Sequence, residues 1–136
     1  MYKKILVPMA LDHGISQHTL EVARALSAED SEIIALHVYE MPQGSVSAYL
    51  DKGAVADGFR AATNLLRKKT EELEGIQPEI VKGHTARTII DFANHNDFDC
   101  IVIGSHKPGL SDYFLGSTAS RVVRHAGCAV HVHRRI

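Results

Sequence analysis

The chain has 136 residues, of which 45% are hydrophobic and 23% are charged, and its formal net charge at pH 7 is −1. This length and composition are typical of one globular domain, here residues 1–136, and the charge balance gives no attraction for nucleic acid or acidic lipid. No apolar stretch approaches the roughly 18 residues that span a bilayer, and the first residues lack the apolar core of a secretory signal, so we expect a cytoplasmic protein without a membrane span.

Five short apolar runs predict strands, and helical patterns lie between them. The strands are expected at residues 3–8, 32–38, 78–82, 100–104 and 128–134. Strands that alternate with helices are typical of a parallel sheet covered on both faces. The first, second and fourth runs are almost continuously apolar, as interior strands are, whereas the third and fifth mix polar and apolar residues. With right-handed crossovers, this predicts a single α/β doubly wound domain of strand order 3-2-1-4-5, flavodoxin-like, with two helices on each face.

Four helical segments separate the strands. Ser16, Thr85 and Ser117 are the expected N-caps of the first, third and fourth helices. The first helix is expected to run to about Ala28, and Gly75 is expected to end the second.

Ligands of an open parallel sheet bind beyond the carboxyl ends of the strands, where neighbouring connections leave in opposite directions. For order 3-2-1-4-5 this point lies between the first and fourth strands, which lead into "PMALDHGI" (8–15) and "GSHKPGLSDYFLGS" (104–117). The second loop ends at the start of a helix, whose first free amides carry a partial positive charge. Gly104 lacks a Cβ and permits close approach of the backbone to an anion.

Several side chains of the second loop suit a phosphate ligand. Lys107 would add a full positive charge, and His106 could donate to a phosphate or lie against a ribose. The hydroxyls of Ser117 and Thr118 could bind phosphate oxygens or Mg²⁺. The alternative is a plain surface loop, with a turn at Gly109 and a capped helix after it. Glycine-rich loops are weak signals, so both interpretations stay open at this point.

Four stretches, in this order and over essentially the whole chain, resemble the universal stress protein family: "KKILVPM", "ALHVY", "GSHKPGLSDYFLGSTASRVVRHA" and "CAVHVHR". The resemblance implies the five-stranded doubly wound fold, a homodimer formed through the last strand (128–134), and ATP binding through a loop reading Gly-x2-Gly-x9-Gly-Ser/Thr. The loop of this chain resembles a branch of the family in which it reads Ser-His-Lys/Arg-Pro.

The resemblance further implies an adenine nucleotide as ligand, namely ATP, ADP or AMP, with Mg²⁺ bound through its phosphates. Pro8 and Met9 would line the adenosine pocket, and Val38 would offer backbone hydrogen bonds to adenine. With the residues suggested by their own chemistry added, the predicted nucleotide-binding residues are Pro8, Met9, Asp12, Val38, Gly104, His106, Lys107, Gly109, Gly116, Ser117 and Thr118.

Two departures from the family pattern bear on this site. Lys107 stands where the second glycine of the loop is expected, and the loop is one residue shorter than the pattern. Ala10 stands where ATP-binding relatives usually carry an aspartate, so that Asp12 is the nearest carboxylate. Asp12 either holds the ribose hydroxyls or caps the turn before Gly14.

The favoured function is a nucleotide-binding regulatory module of the stress response, which also contacts a regulatory protein and in which residues 40–53 report the bound state. One alternative is a dimeric interaction module that binds no nucleotide. The other is a slow ATPase or autophosphorylating protein with Ser117, Thr118 or His106 as the phosphate acceptor. The absence of a clear general base in the sequence counts against this alternative.

A metal site is also weighed, because His131 and His133 share one face of a predicted strand. No third ligand accompanies them in the sequence, so a solvated edge or a dimer contact is favoured over metal binding.

Overall fold

The structure is a computed structural model that describes residues 1–11, 17–40, 52–105 and 115–134. Its strands are β1 (Tyr2–Pro8), β2 (Ser27–Tyr39), β3 (Ile76–Lys82), β4 (Cys100–Gly104) and β5 (Ala129–His133). Its helices are α1 (Gln17–Leu26), α2 (Lys52–Thr70), α3 (Thr85–His95) and α4 (Ser117–His125). None of the helices within these ranges is long and apolar enough to cross a membrane.

The strands form one sheet of order β3-β2-β1-β4-β5, and all neighbouring strands are parallel. This confirms the predicted strand order and the placement of the third and fifth strands at the edges. β1 and β4 lie side by side, with Ile5 opposite Cys100 and Leu6 opposite Ile101. The chain continues from β1 towards β2 on one side and from β4 towards β5 on the other, so the crevice between their carboxyl ends is the switch point of the sheet.

Two helices cover each face of the sheet, as predicted. Successive residues of a strand point to opposite faces, so each interior strand contributes to both layers of the core. The layer under α1 and α2 includes Ile5, Val7, Ala35, Val102, Leu20 and Leu66. The layer under α3 and α4 includes Leu6, Leu36, Ile101, Ile103, Ile89 and Val122.

The first helix and the second strand meet earlier than predicted. α1 ends at Leu26 rather than about Ala28, and β2 begins at Ser27 instead of residue 32. The early part of β2 is polar and partly exposed, and its register with β1 shifts between Tyr2 and Lys4. This part therefore lacks the apolar pattern that marked the rest of the strand.

The second helix also ends before the predicted glycine. α2 ends at Thr70, whose hydroxyl donates to the Leu66 carbonyl over 2.8 Å, and the N–H of Leu73 donates to the Thr70 carbonyl over 3.0 Å. Gly75 does adopt the left-handed conformation, with φ 78°, but it does so at the turn into β3. The prediction that Gly75 ends the second helix is therefore wrong, since the helix ends five residues earlier, at Thr70.

Asp99 fixes the opposite, amino end of the sheet. Its carboxylate accepts hydrogen bonds from the N–H of Lys3 at 2.8 Å and of Lys4 at 3.0 Å, and its own N–H donates to the Lys4 carbonyl at 3.0 Å. The ammonium of Lys4 donates to the Asn96 carbonyl over 2.6 Å. These contacts hold the start of β1 beside the start of β4.

Candidate functional site

The end of β1 is anchored to β2. Met9 is buried, at 8% exposure, and its N–H donates to the Leu36 carbonyl over 2.9 Å. Its carbonyl oxygen lies 3.0 Å from Nδ1 of His37, which belongs to β2. Pro8 is half-buried and lies opposite Leu36 in the sheet. The two residues predicted to line an adenosine pocket therefore have a defined position at the carboxyl edge.

Val38 lies at the same edge on the neighbouring strand. It is buried, at 6% exposure, and its side chain belongs to the core layer under α3 and α4. It follows Leu36 by two residues, so its backbone lies just beyond the position opposite Pro8. The structure thus brings Pro8, Met9 and Val38 together at the ends of two adjacent strands.

The second loop leaves β4 from a fixed point. Gly104 is the exposed last residue of β4 and pairs with His133 of β5. The N–H of Ser105 then donates to the His133 carbonyl over 3.0 Å. A Cβ placed on Gly104 would meet nothing within 4 Å among the described residues, so local packing does not require this glycine.

α4 begins with a glycine cap. Gly116 is the N-cap, with φ −59° and ψ 156°, and its carbonyl accepts the N–H of Ser120 over 2.9 Å. Ser117 is exposed and is the first helical residue, and Thr118 is half-buried. The prediction that Ser117 caps this helix is wrong by one position. The N-cap has no side chain that could bind the first amides, which lack acceptors within the helix.

Four predicted site residues lie outside the described residues. They are Asp12, His106, Lys107 and Gly109. Most of the predicted reporter segment, residues 41–51, also lies outside them.

α3 begins at the same edge of the sheet, and Glu40 caps it. The N-cap of α3 is His84, so the prediction that Thr85 caps this helix is wrong by one position. One carboxylate oxygen of Glu40 accepts the N–H of Thr85 at 3.2 Å and its hydroxyl at 2.6 Å. These two hydrogen bonds, the hydroxyl first, lower the pKa of Glu40, and partial burial opposes them. Glu40 lies 45 residues from Thr85, so a rule that examines only neighbouring residues misses it.

Two histidines meet beside the carboxyl end of β4. The rings of His18, near the start of α1, and His133, at the end of β5, lie 4.5 Å apart with an interplanar angle of 62°. The pKa of His133 is lowered, first by burial and then by the neighbouring His18 and His131. Within the part of the chain that the structure describes, no three His, Cys, Asp or Glu side chains are grouped to hold a metal ion.

A profile of the universal stress protein family matches residues 1–134. The chain belongs to this family. Universal stress protein G of Salmonella typhimurium is 34% identical over 146 residues, and the alignment covers 98% of this chain and 100% of that relative. A universal stress protein of Methanothermobacter thermautotrophicus is 28% identical and covers 100% of this chain, with 98% of its own length aligned.

Solved structures share the fold. The hypothetical protein MJ0577 superimposes with a TM-score of 0.77 at 28% identity, over 100% of this chain and 98% of that one. Universal stress proteins have also been solved in complex with cAMP (21% identity, TM-score 0.64) and with dAMP, from Archaeoglobus fulgidus (19%, 0.56). A member from Arabidopsis thaliana with AMP bound is 19% identical, with a TM-score of 0.57. Each of these three aligns over 96% or more of this chain and 92% or more of its own.

In this universal stress protein, the described residues predicted for the site lie in two places, the ends of β1 and β2 and the start of α4. Pro8, Met9 and Val38 lie at the ends of β1 and β2, where the buried side chains of Met9 and Val38 belong to opposite layers of the core. The helix start is Gly116, Ser117 and Thr118, where backbone amides and hydroxyls are the polar groups.

Proposed function

We propose that this chain binds an adenine nucleotide, ATP, ADP or AMP, at the carboxyl edge between β1 and β4. The observation that carries the proposal is the glycine-capped start of α4 at this edge, because the first amides of a helix attract an anion. Family members solved with cAMP, dAMP and AMP support an adenine nucleotide as the ligand class. The nucleotide would regulate a cytoplasmic stress-response module made of one domain, residues 1–136.

Each predicted site residue that the structure describes has a role in this proposal. The amides at Ser117 and Thr118, with their hydroxyls, would bind phosphate oxygens, and Pro8 and Met9 would contact the adenosine. The backbone of Val38 would hydrogen-bond to adenine. A Cβ placed on Gly116 would meet nothing within 4 Å among the described residues, so none of them packs against this position.

The remaining proposed ligands are Asp12 for the ribose, and His106, Lys107 and Gly109 along the second loop. Gly104 would permit the backbone at the end of β4 to approach the phosphates. Mg²⁺ would be held mainly by the phosphates, since it prefers oxygen ligands and keeps several waters.

The proposal includes a homodimer formed through β5. This strand lies at the edge of the sheet, where unpaired backbone groups can pair with a second chain. Residues Ala129 and His131 of this strand are exposed. A regulatory protein partner would then distinguish the bound dimer from the free dimer.

Calorimetric titration and thermal unfolding with Mg·ATP, ADP and AMP test the proposal. GTP, which differs from ATP only in its nucleobase, is the control for recognition of adenine. A ligand at a hundred times its Kd should stabilise the fold by about 2.7 kcal/mol, which raises the melting temperature by several degrees. Ser117→Ala combined with Thr118→Ala should weaken ATP more than AMP, because ATP carries more phosphate.

If none of the three adenine nucleotides binds, the proposal is wrong and the nucleotide-free dimeric module becomes the better account. If ATP binds, incubation with γ-labelled ATP separates a binding module from an enzyme. We expect neither released phosphate nor labelled protein.

A further inference from the structure

The carbonyl oxygen of Met9 is bound by the imidazole of His37. The two atoms, the Met9 oxygen and Nδ1 of the ring, are 3.0 Å apart in a half-buried position. A carbonyl oxygen only accepts hydrogen bonds, so Nδ1 of His37 carries the hydrogen. Both the neutral Nδ1–H tautomer and the protonated ring carry this hydrogen.

This contact lies where the pairing of β1 with β2 ends. The last paired residues are Pro8 and Leu36, and the N–H of Met9 still donates to the Leu36 carbonyl over 2.9 Å. Both backbone groups of Met9 are thus bound by β2, its N–H by the main chain and its carbonyl by the His37 ring. The Met9 carbonyl is part of the rigid peptide plane that enters Ala10, the exposed residue at which the first loop begins.

His37 also precedes Val38 directly. The backbone of His37 thus leads directly into Val38, one residue of the proposed adenosine pocket. Its ring binds Met9, a second residue of that pocket, at the end of the neighbouring strand. We infer that His37 is a positioning residue of the nucleotide site, in which Nδ1–H fixes the Met9 carbonyl and thereby the distance between the Pro8–Met9 end of β1 and Val38. This inference rests on the proposed function, and it assigns His37 no contact with the ligand.

Asparagine and glutamine distinguish this role from simple packing. The amide nitrogen of asparagine can take the place of Nδ1, whereas that of glutamine reaches the place of Nε2. His37→Asn should therefore keep the bond to Met9, and His37→Gln should lose it. Replacement of His95, an exposed residue at the end of α3, by Gln provides the matched control.

The experiment is a calorimetric titration of the full chain and its three variants with Mg·ATP. We expect Kd to rise about tenfold in His37→Gln, the effect of one lost hydrogen bond, and to stay within about twofold in His37→Asn and His95→Gln.

Equal affinities in the Asn and Gln variants, whether both reduced or both unchanged, would overturn the inference and leave nucleotide binding intact. Failure of the wild type to bind any adenine nucleotide would overturn the proposed function and this inference together. If His37→Gln does not fold, the ¹⁵N spectrum of the wild-type ring decides. Hydrogen on Nδ1 in the neutral ring supports the assignment, and hydrogen only on Nε2 contradicts it.

Discussion

Two helices begin at the carboxyl edge of the sheet, and they differ in whether a side chain caps the first turn. At the start of α3, the carboxylate of Glu40 accepts hydrogen bonds from the N–H and hydroxyl of Thr85. At the start of α4, the N-cap is Gly116, which has no side chain to offer. Both helix starts have the same partial positive charge. The protein supplies its own anion to α3, and in our account a ligand supplies the anion to α4.

The substitution Gly116→Asp should make the two helix starts alike, because it gives α4 a carboxylate as Glu40 gives one to α3. The backbone at Gly116 is extended, with φ −59° and ψ 156°, which any residue adopts, and a Cβ there meets no described atom within 4 Å. Its carboxylate would bind the first amides and repel phosphate. We expect ATP affinity to fall about a hundredfold or more, since several charged hydrogen bonds are lost, while stability rises by a few tenths of a kcal/mol.

Gly116→Asn is the matched control for this variant. It can cap the helix with a neutral oxygen, so it should gain similar stability and lose less ATP affinity than Gly116→Asp does. If Gly116→Asp binds ATP as the wild type does, the start of α4 is not the phosphate site.

A change at the amino end of the sheet should alter stability alone. Asp99→Ala removes the carboxylate that accepts from the N–H groups of Lys3 and Lys4. The expected loss is about 2 kcal/mol in the free energy of unfolding, measured in urea, because two hydrogen bonds to a charged carboxylate are lost, one of them part-buried. Asp91→Ala, which removes an exposed pair with Arg87, should cost less than about 0.5 kcal/mol. Either variant should keep the ATP affinity of the wild type once folded, and a large loss of affinity would contradict this.

Removal of the Glu40 carboxylate should destabilise α3 without changing the nucleotide site. Glu40→Ala is expected to cost about 1 kcal/mol of stability, the usual effect of a lost helix cap, with ATP affinity within about twofold of the wild type. Glu40→Gln retains an acceptor oxygen and should cost less. Urea unfolding and calorimetry measure the two effects separately. A similar loss of ATP affinity in Glu40→Ala and Gly116→Asp would mean that the two helix starts do not differ as described.

The smallest expected effect is a pH dependence from His133. Its pKa lies below the ordinary value of 6.5, mainly because of burial and the adjacent His18. Between the lowered pKa and 6.5 the unfolded chain binds a proton that the folded chain does not, so stability falls as the pH falls through this range. Melting curves between pH 8 and pH 5 should show this decline. The decline should be shallower in His133→Asn and unchanged in His95→Asn, and identical curves for all three proteins would contradict the assignment.

The sequence was sufficient to predict the elements that depend on local pattern. The apolar runs at β1, β2 and β4 predicted interior strands, and the mixed pattern of β3 and β5 predicted edges, which fixed the strand order. The polar start of β2 has no such pattern, since residues 27–32 are partly exposed and Asp30 takes φ 58°. Its beginning was therefore misplaced.

The site was only partly predictable for a different reason. Serine and threonine are common N-cap residues, which led to the prediction of Ser117 and Thr85, but the N-caps are Gly116 and His84. Contacts across long sequence separations escaped prediction. Glu40 binds Thr85 over 45 residues, and His37 binds Met9 over 28. Such contacts depend on which strands and helices become neighbours, and single-sequence patterns do not contain that information.

The most direct test of the account is a ¹⁵N amide spectrum of the full chain titrated with Mg·ATP. We expect large, saturable shifts at the amides of Ser117, Thr118 and Ala119, and little change at Thr85, Ala86 and Arg87, where Glu40 already occupies the helix start. Saturable shifts at both helix starts, or at that of α3 alone, would contradict the account.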